Sequence, residues 1–226
     1  MRFNTILIDI DDTLFNFRKS SFEALAESFR RIGRSFTWDD MPGYEVYNNK
    51  MWQMFERGEI EKDAIFEERF RQYFAEKGIE ADTAAFNACY IEQLSLGINF
   101  MPHAEDLLRA LHGKYRVFVV TNGDTYAQER RIRRSGLAAY FDGVFISEQL
   151  GCKKPDKAFF DAVFAIIGED SRKTALMVGD SLSSDMQGGR NAGISTCLYG
   201  KREKADERCD YVIEDLLDLL PILENT

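Results

Sequence analysis

Apolar and polar positions follow two different rhythms along this chain. Short runs rich in Val, Ile, Leu and Phe stand between polar turns at Ile6–Ile10, Arg116–Val120 and Ala175–Val178. Runs of this length and composition predict buried β-strands. Residues 1–14 are expected to give one strand, with shorter ones at Gly143–Ser147, Ser195–Leu198 and Tyr211–Ile213. Between them, residues 102–111, 126–135, 156–167, 185–191 and 214–220 read as helices, with Pro102 at one start and Gly136 and Gly193 at two ends. Strands alternating with helices predict a parallel sheet covered on both faces.

From residue 16 to residue 97 the rhythm is helical throughout. Phe22, Leu25, Phe29 and Ile32 are spaced three and four apart, after Ser20-Ser21 as a candidate N-cap and before Gly33 as a stop. A second helix is expected from Pro42, carrying Tyr44, Tyr47, Met51, Trp52 and Phe55. A third runs from Lys62, with Ile65, Phe66, Phe70 and Phe74, to Gly78. A fourth follows Asp82, with Phe86, Cys89, Tyr90 and Leu94. Seventeen of the 29 aromatic residues lie between Phe15 and Phe100, enough to give these helices a core of their own. The expected organisation is a Rossmann-like α/β core from residues 1–15 and 98–226, interrupted by a four-helix unit at 16–97.

Composition narrows the function. With 226 residues and 45% hydrophobic residues, the chain can bury a sizeable core. Its net charge of −9 argues against a nucleic-acid partner, which calls for a basic face. The same charge repels anions on average, so any phosphate site must be made attractive locally. Cys89, Cys152, Cys197 and Cys209 form no C-x-x-C pair and predict neither zinc nor disulfides. No apolar leader and no long apolar run is visible, which predicts a cytoplasmic protein with no membrane partner. The two histidines, His103 and His112, read as surface residues.

The candidate chemistry lies at strand ends. Asp9 and Asp11 are two apart in a predicted strand and would share one side of it. Two carboxylates held together repel and are costly to desolvate, so the pair points to a cation or a reaction. Thr121-Asn122, Lys154 and Asp180 with Asp185 occupy the ends of other segments. In open parallel sheets ligands bind outside the carboxyl ends of the strands. Asp9, Asp11, Asp180 and Asp185 in one crevice would need a hard cation, and oxygen ligands suit Mg²⁺. Lys154 and the hydroxyl–amide pair can hold an anion beside it, which makes a phosphoryl site. Asp9, ionised at neutral pH, can attack phosphorus without a base. Asp11 can protonate the leaving oxygen and later take a proton from water, provided its acidic neighbours favour protonation. Asp12, Asp142, Asp156, Asp170 and Ser181, Ser183 and Ser184 read as turn or cap residues.

Asp9-Ile10-Asp11-Asp12-Thr13-Leu14, Thr121-Asn122-Gly123, Lys154-Pro155 and Gly179-Asp180-Ser181 with Asp185, in this order, resemble the four motifs of the haloacid dehalogenase-like (HAD) superfamily. The resemblance implies Asp9 as nucleophile, Asp11 as acid/base, and Thr121, Asn122 and Lys154 around the phosphoryl group. It implies Mg²⁺ held by Asp9, the Asp11 backbone carbonyl, Asp180 and Asp185, and it makes the helical insertion a C1 cap. Phe15-Asn16-Phe17, Asn49-Lys50-Met51-Trp52 and Met177 through Gly193 further resemble bacterial pyrimidine 5′-nucleotidases that act on noncanonical nucleotides. The implied partner is a small phosphorylated metabolite, a nucleoside 5′-monophosphate. Phe15 and Phe17, nearest the nucleophile in sequence, are the candidates to stack on its base. The alternatives are a phosphatase for phosphoglycolate or a sugar phosphate, a phosphomutase, a dehalogenase, or a catalytically silent binding protein. Asp11 and Asp180 speak against the dehalogenase, since dehalogenases of this superfamily lack an acid at the position of Asp11 and need no Mg²⁺. The sequence does not fix the oligomeric state.

Overall fold

The computed structural model describes residues 3–224; Met1, Arg2, Asn225 and Thr226, at the ends of the expected core, lie outside the described residues. In chain order the elements are β1 (Thr5–Ile8), α1 (Phe17–Arg31), α2 (Met41–Glu56), α3 (Lys62–Lys77), α4 (Thr83–Leu94), α5 (Ala104–Leu111), β2 (Arg116–Thr121), α6 (Thr125–Ser135), β3 (Gly143–Ile146), α7 (Ser147–Leu150), α8 (Lys157–Ile167), β4 (Ala175–Gly179), α9 (Gln187–Ala192), β5 (Ser195–Tyr199), β6 (Tyr211–Ile213) and α10 (Leu219–Glu224). The chain divides into two compact units, residues 3–17 with 98–224, and Arg18–Gly97.

The first unit is a six-stranded sheet in the order β3-β2-β1-β4-β5-β6, with every neighbouring pair parallel. Alternation along the central strands builds two cores. Ile6, Ile8, Val117, Val119, Leu176 and Val178 pack on one face with Leu107, Leu108 and Leu111 of α5, Ile132 of α6 and Leu219 and Leu223 of α10. Leu7, Phe118, Val120 and Met177 pack on the other with Phe159, Phe160, Val163 and Phe164 of α8. Strands buried on both faces are continuously apolar, which is why these runs stood out. β1 lies between β2 and β4, where the strand order reverses, and this is where such sheets open a crevice at their carboxyl ends.

The second unit, α1–α4, has an aromatic core. Phe86 contacts Phe29, Phe70 and Phe74 with ring centroids 4.8–4.9 Å apart, and such pairs contribute about 0.5–1.5 kcal/mol each beyond area burial. Gly78 closes α3 at φ 61°, and Asp82 caps α4 by accepting from Ala84 N and Ala85 N. Two expectations are corrected. Ser20 and Ser21 do not cap α1 but lie buried inside it, where Ser21 Oγ meets Tyr90 Oη at 2.9 Å. The buried face of α1 is therefore small and polar as well as apolar: Ser21, Ala24, Leu25, Ser28 and Phe29. On α3 the buried positions include Arg69, whose guanidinium lies 4.8 Å from the rings of Phe70 and Tyr90 and donates to Asn87 Oδ1 at 2.8 Å. Phe66, expected on that face, is only half-buried. Among the described residues no helix is long and apolar enough to cross a membrane.

Candidate active site

β1 stops at Ile8, earlier than expected, because the chain turns there. Asp9 N still donates to Val178 O at 2.9 Å, which pins the residue against β4. Beyond it Asp12 takes φ 55°, a left-handed value that Asp tolerates better than most residues. Its N–H donates to Phe15 O, while Leu14 N and Phe15 N donate to Ile10 O. This hydrogen-bonded loop replaces the expected strand, so strand periodicity does not carry from Asp9 to Asp11. The two carboxylates take separate partners.

Asp9 is buried, and Lys154 Nζ donates to its Oδ1 at 2.6 Å. The same ammonium donates to Asp185 Oδ1 at 2.6 Å and to Val120 O at 2.8 Å, so all three of its protons are used. Burial pushes the Asp9 carboxyl up to about 8, against the pull of Lys154 and with the help of the Asp185 and Asp11 charges. The ionised form expected at neutral pH from the sequence is therefore not set by the chain alone, and a bound cation would be needed to favour it. Burial alone would depress the Lys154 ammonium, but the paired carboxylates of Asp185 and Asp9 outweigh it and hold the proton more tightly than in an ordinary lysine. Lys154 reaches this position through Asn122. The Asn122 amide donates from Nδ2 to Lys154 O at 2.8 Å and accepts at Oδ1 from Lys154 N at 3.0 Å. Its side chain therefore fixes the lysine backbone.

Asp185 is delivered by a π-helical turn over Leu182–Met186, in which Met186 N donates to Ser181 O at 3.0 Å. The sequence predicted an ordinary helix from Asp185. Ser181 N donates to Asp185 Oδ2 at 3.1 Å and Ser181 Oγ accepts from Ser184 N, the cap role expected of this serine. A Cβ on Gly179 would overlap the Asp185 carboxylate, so this strand end must be glycine. Asp9, Asp180 and Asp185 each offer a carboxylate oxygen within 4.8 Å of the others. An all-oxygen set of this compactness fits a hard divalent cation, whose charge would offset their mutual repulsion.

Sequence reasoning missed three residues. Thr13, given no role of its own in the sequence, is buried, with Oγ1 3.5 Å from Asp180 Oδ1. Gln128 and Arg131 of α6 reach Asp11: Gln128 Nε2 donates to Oδ2 at 2.6 Å and Arg131 Nη1 to Oδ1 at 2.5 Å. Asp11 thus faces a guanidinium and an amide, not only the acids expected around it. Residues 124, 127, 128, 131 and 132 form one helical face, but three of them are polar, so the segment alone reads as solvated. Of the proposed base-stacking rings, Phe15 is a core residue. It is stacked on Phe100 at 5.5 Å and lies 4.7 Å under the Arg131 guanidinium, so its faces are covered. Phe17 is half-buried at the start of α1.

The comparisons agree with this geometry. The family model described as haloacid dehalogenase-like hydrolase matches residues 3–193. The HAD-hydrolase YfnB of Bacillus subtilis is 36% identical over 196 residues, 87% of this chain and 83% of the relative. Its magnesium-bound crystal structure superposes with a TM-score of 0.92 at 34% identity, covering 99% of each chain. The pyrimidine 5′-nucleotidase YjjG of Escherichia coli is 34% identical over 197 residues, 87% of this chain and 86% of the relative. The pyrimidine 5′-nucleotidase PynA of Streptococcus pneumoniae is also 34% identical, over 97% of this chain and 96% of the relative. The chain therefore belongs to the haloacid dehalogenase-like hydrolases, as a phosphatase-type member in which Asp9, Asp180 and Asp185 form the cluster able to hold a metal.

Proposed function

We propose that this protein is a Mg²⁺-dependent phosphomonoester hydrolase working through an aspartyl phosphate on Asp9, with a pyrimidine nucleoside 5′-monophosphate as substrate. The observation that carries the reading is the buried Asp9 carboxylate at the end of β1, beside Lys154 and within the Asp9–Asp180–Asp185 cluster. Asp9, Asp180 and Asp185, with the Asp11 backbone carbonyl, would hold Mg²⁺. When bound, the ion supplies positive charge that offsets the phosphoryl group and the carboxylates around it.

In the first step Asp9 Oδ attacks phosphorus and the bond from phosphorus to the ester oxygen breaks. Asp11 gives its proton to that oxygen, and the alcohol leaves. In the second step water attacks the phosphorus of the aspartyl phosphate and loses a proton to Asp11. The Asp9–phosphorus bond breaks, releasing inorganic phosphate and restoring both carboxyl groups. Lys154 keeps its charge beside the nucleophile throughout, and Thr121 offers its hydroxyl to a phosphoryl oxygen. Asn122 acts by fixing Lys154. The names of YjjG and PynA favour a pyrimidine nucleotide over other small phosphates.

A panel of UMP, dUMP, dTMP, phosphoglycolate and hexose phosphates, assayed for phosphate release with Mg²⁺ and with EDTA, tests the reading. Preference for the nucleotides and loss of turnover under chelation are expected. Asp9→Asn should abolish turnover, and residual activity above about one part in a thousand would require another nucleophile.

A further inference from the structure

Both oxygens of the Asp11 carboxylate are held from a single helix, α6. Neither donor is loose. Gln128 and Arg131 are each 1% exposed, and Gln128 Oε1 accepts from Arg131 Nη1 at 3.2 Å, which turns the amide so that its Nε2 faces Asp11. Arg131 is braced on its other side by the Phe15 ring, itself stacked on Phe100. Gln128 Nε2 also donates to Thr121 Oγ1 at 3.1 Å, so one amide joins Asp11 to the hydroxyl at the end of β2. Gly123 leaves room for this, because a Cβ there would overlap the Gln128 amide. Burying an amide and a guanidinium is costly unless both are bonded. If the helix only had to cover the sheet, apolar residues beside Ala127 and Ile132 would do so at less cost.

We infer that Gln128 and Arg131 are positioning residues that set the orientation of Asp11 for its proton transfers; this rests on the reading above that Asp11 is the acid and base. Proton transfer requires heavy-atom approach within about 2.6–3.2 Å, and a carboxylate gripped on both oxygens cannot rotate away from that geometry. Their contribution appears where the leaving group needs a proton. A ribose 5′-alkoxide does, whereas a nitrophenolate departs without one.

The test measures kcat and KM with Mg²⁺ on an alkyl ester, UMP or whichever ester the panel favours, and on p-nitrophenyl phosphate. Arg131→Met keeps an aliphatic stem over Phe15, and Gln128→Met keeps the length of the side chain. For each variant, kcat on the alkyl ester is expected to fall by roughly ten- to a hundredfold, part of the proton-transfer contribution. That loss should exceed the loss on the aryl ester at least tenfold, and Arg131→Lys should recover part of it. Equal losses on the two esters, or a change confined to KM, overturn the inference. If Arg131→Met shows no cooperative melt, Gln128→Met decides by the same ratio. Asp11→Asn on the same pair separates the two layers. No leaving-group split in Asp11→Asn removes Asp11 as the acid; a split there with none in the helix variants removes only the positioning role.

Discussion

The ammonium of Lys154 stands 2.6 Å from Asp185 Oδ1, with both side chains almost wholly enclosed. Together with Asp9 this is a cation shared between two carboxylates. Removing one partner of a buried ion pair costs about 3–5 kcal/mol, because the other charge is left unpaired. Lys154→Met should therefore lower metal-free stability by about that amount in urea unfolding. Saturating Mg²⁺ should recover part of it, since a divalent ion replaces the lost charge. A variant as stable as the parent without metal would contradict the assignment.

The Asp9 carboxyl sits at about 8 in the fold, against 3.8 for an ordinary aspartate, because burial disfavours its charge. The folded state therefore holds this proton more tightly than the unfolded chain. The stabilising contribution is fully present below about pH 4 and is lost as the pH rises toward 8. A cation competes with that proton, so Mg²⁺ affinity should rise with pH by up to about tenfold per unit between pH 6 and 8. Calorimetric titration of metal-free protein at three pH values checks this, and a flat affinity is the contrary result.

Gly179 has no room for a side chain beside Asp185. Gly179→Ala should shift that carboxylate, weaken Mg²⁺ binding at least tenfold and cost about 1–3 kcal/mol through overpacking. Circular dichroism melts and the same titration report both effects. Normal metal affinity in a folded Gly179→Ala protein would show that Asp185 is not part of the cation site.

Phe15 and Phe17 should behave differently. Phe15→Ala removes a buried ring and should cost about 3–5 kcal/mol of stability. Phe17→Ala should keep the fold and lose turnover of a nucleotide more than turnover of a small aryl phosphate. Equal losses on both substrates would count against base stacking by Phe17.

Much of this was legible because the fold writes it into residue type. The β1, β2 and β4 runs are apolar on both faces and end in Asp9, Thr121 and Gly179-Asp180, so a parallel sheet with polar strand ends could be read directly. Boundaries were less legible where side chains override local preference. Ser20 and Ser21 resemble a cap but are buried in α1, because small residues let the helices of that unit approach. The π-turn before α9 is set by the need to aim Asp185, which no local propensity encodes. Gln128 and Arg131 look like solvated residues of a charged helix until the position of Asp11 is known. Burial of polar groups at a site depends on partners more than a hundred residues away, and single-segment patterns do not carry that information.

The strand that leads into Asp9 is synthesised before both of its partners, Arg116–Val119 on one side and Ala175–Val178 on the other. During translation it must wait until both neighbours have left the ribosome, roughly ten to thirty seconds at ordinary elongation rates. The aromatic helices between them are complete long before that. That strand thus spends its early life as an unpaired apolar segment, and the last central neighbour to arrive, β4, is followed directly by Asp180 and Asp185, the other two acids of the cluster.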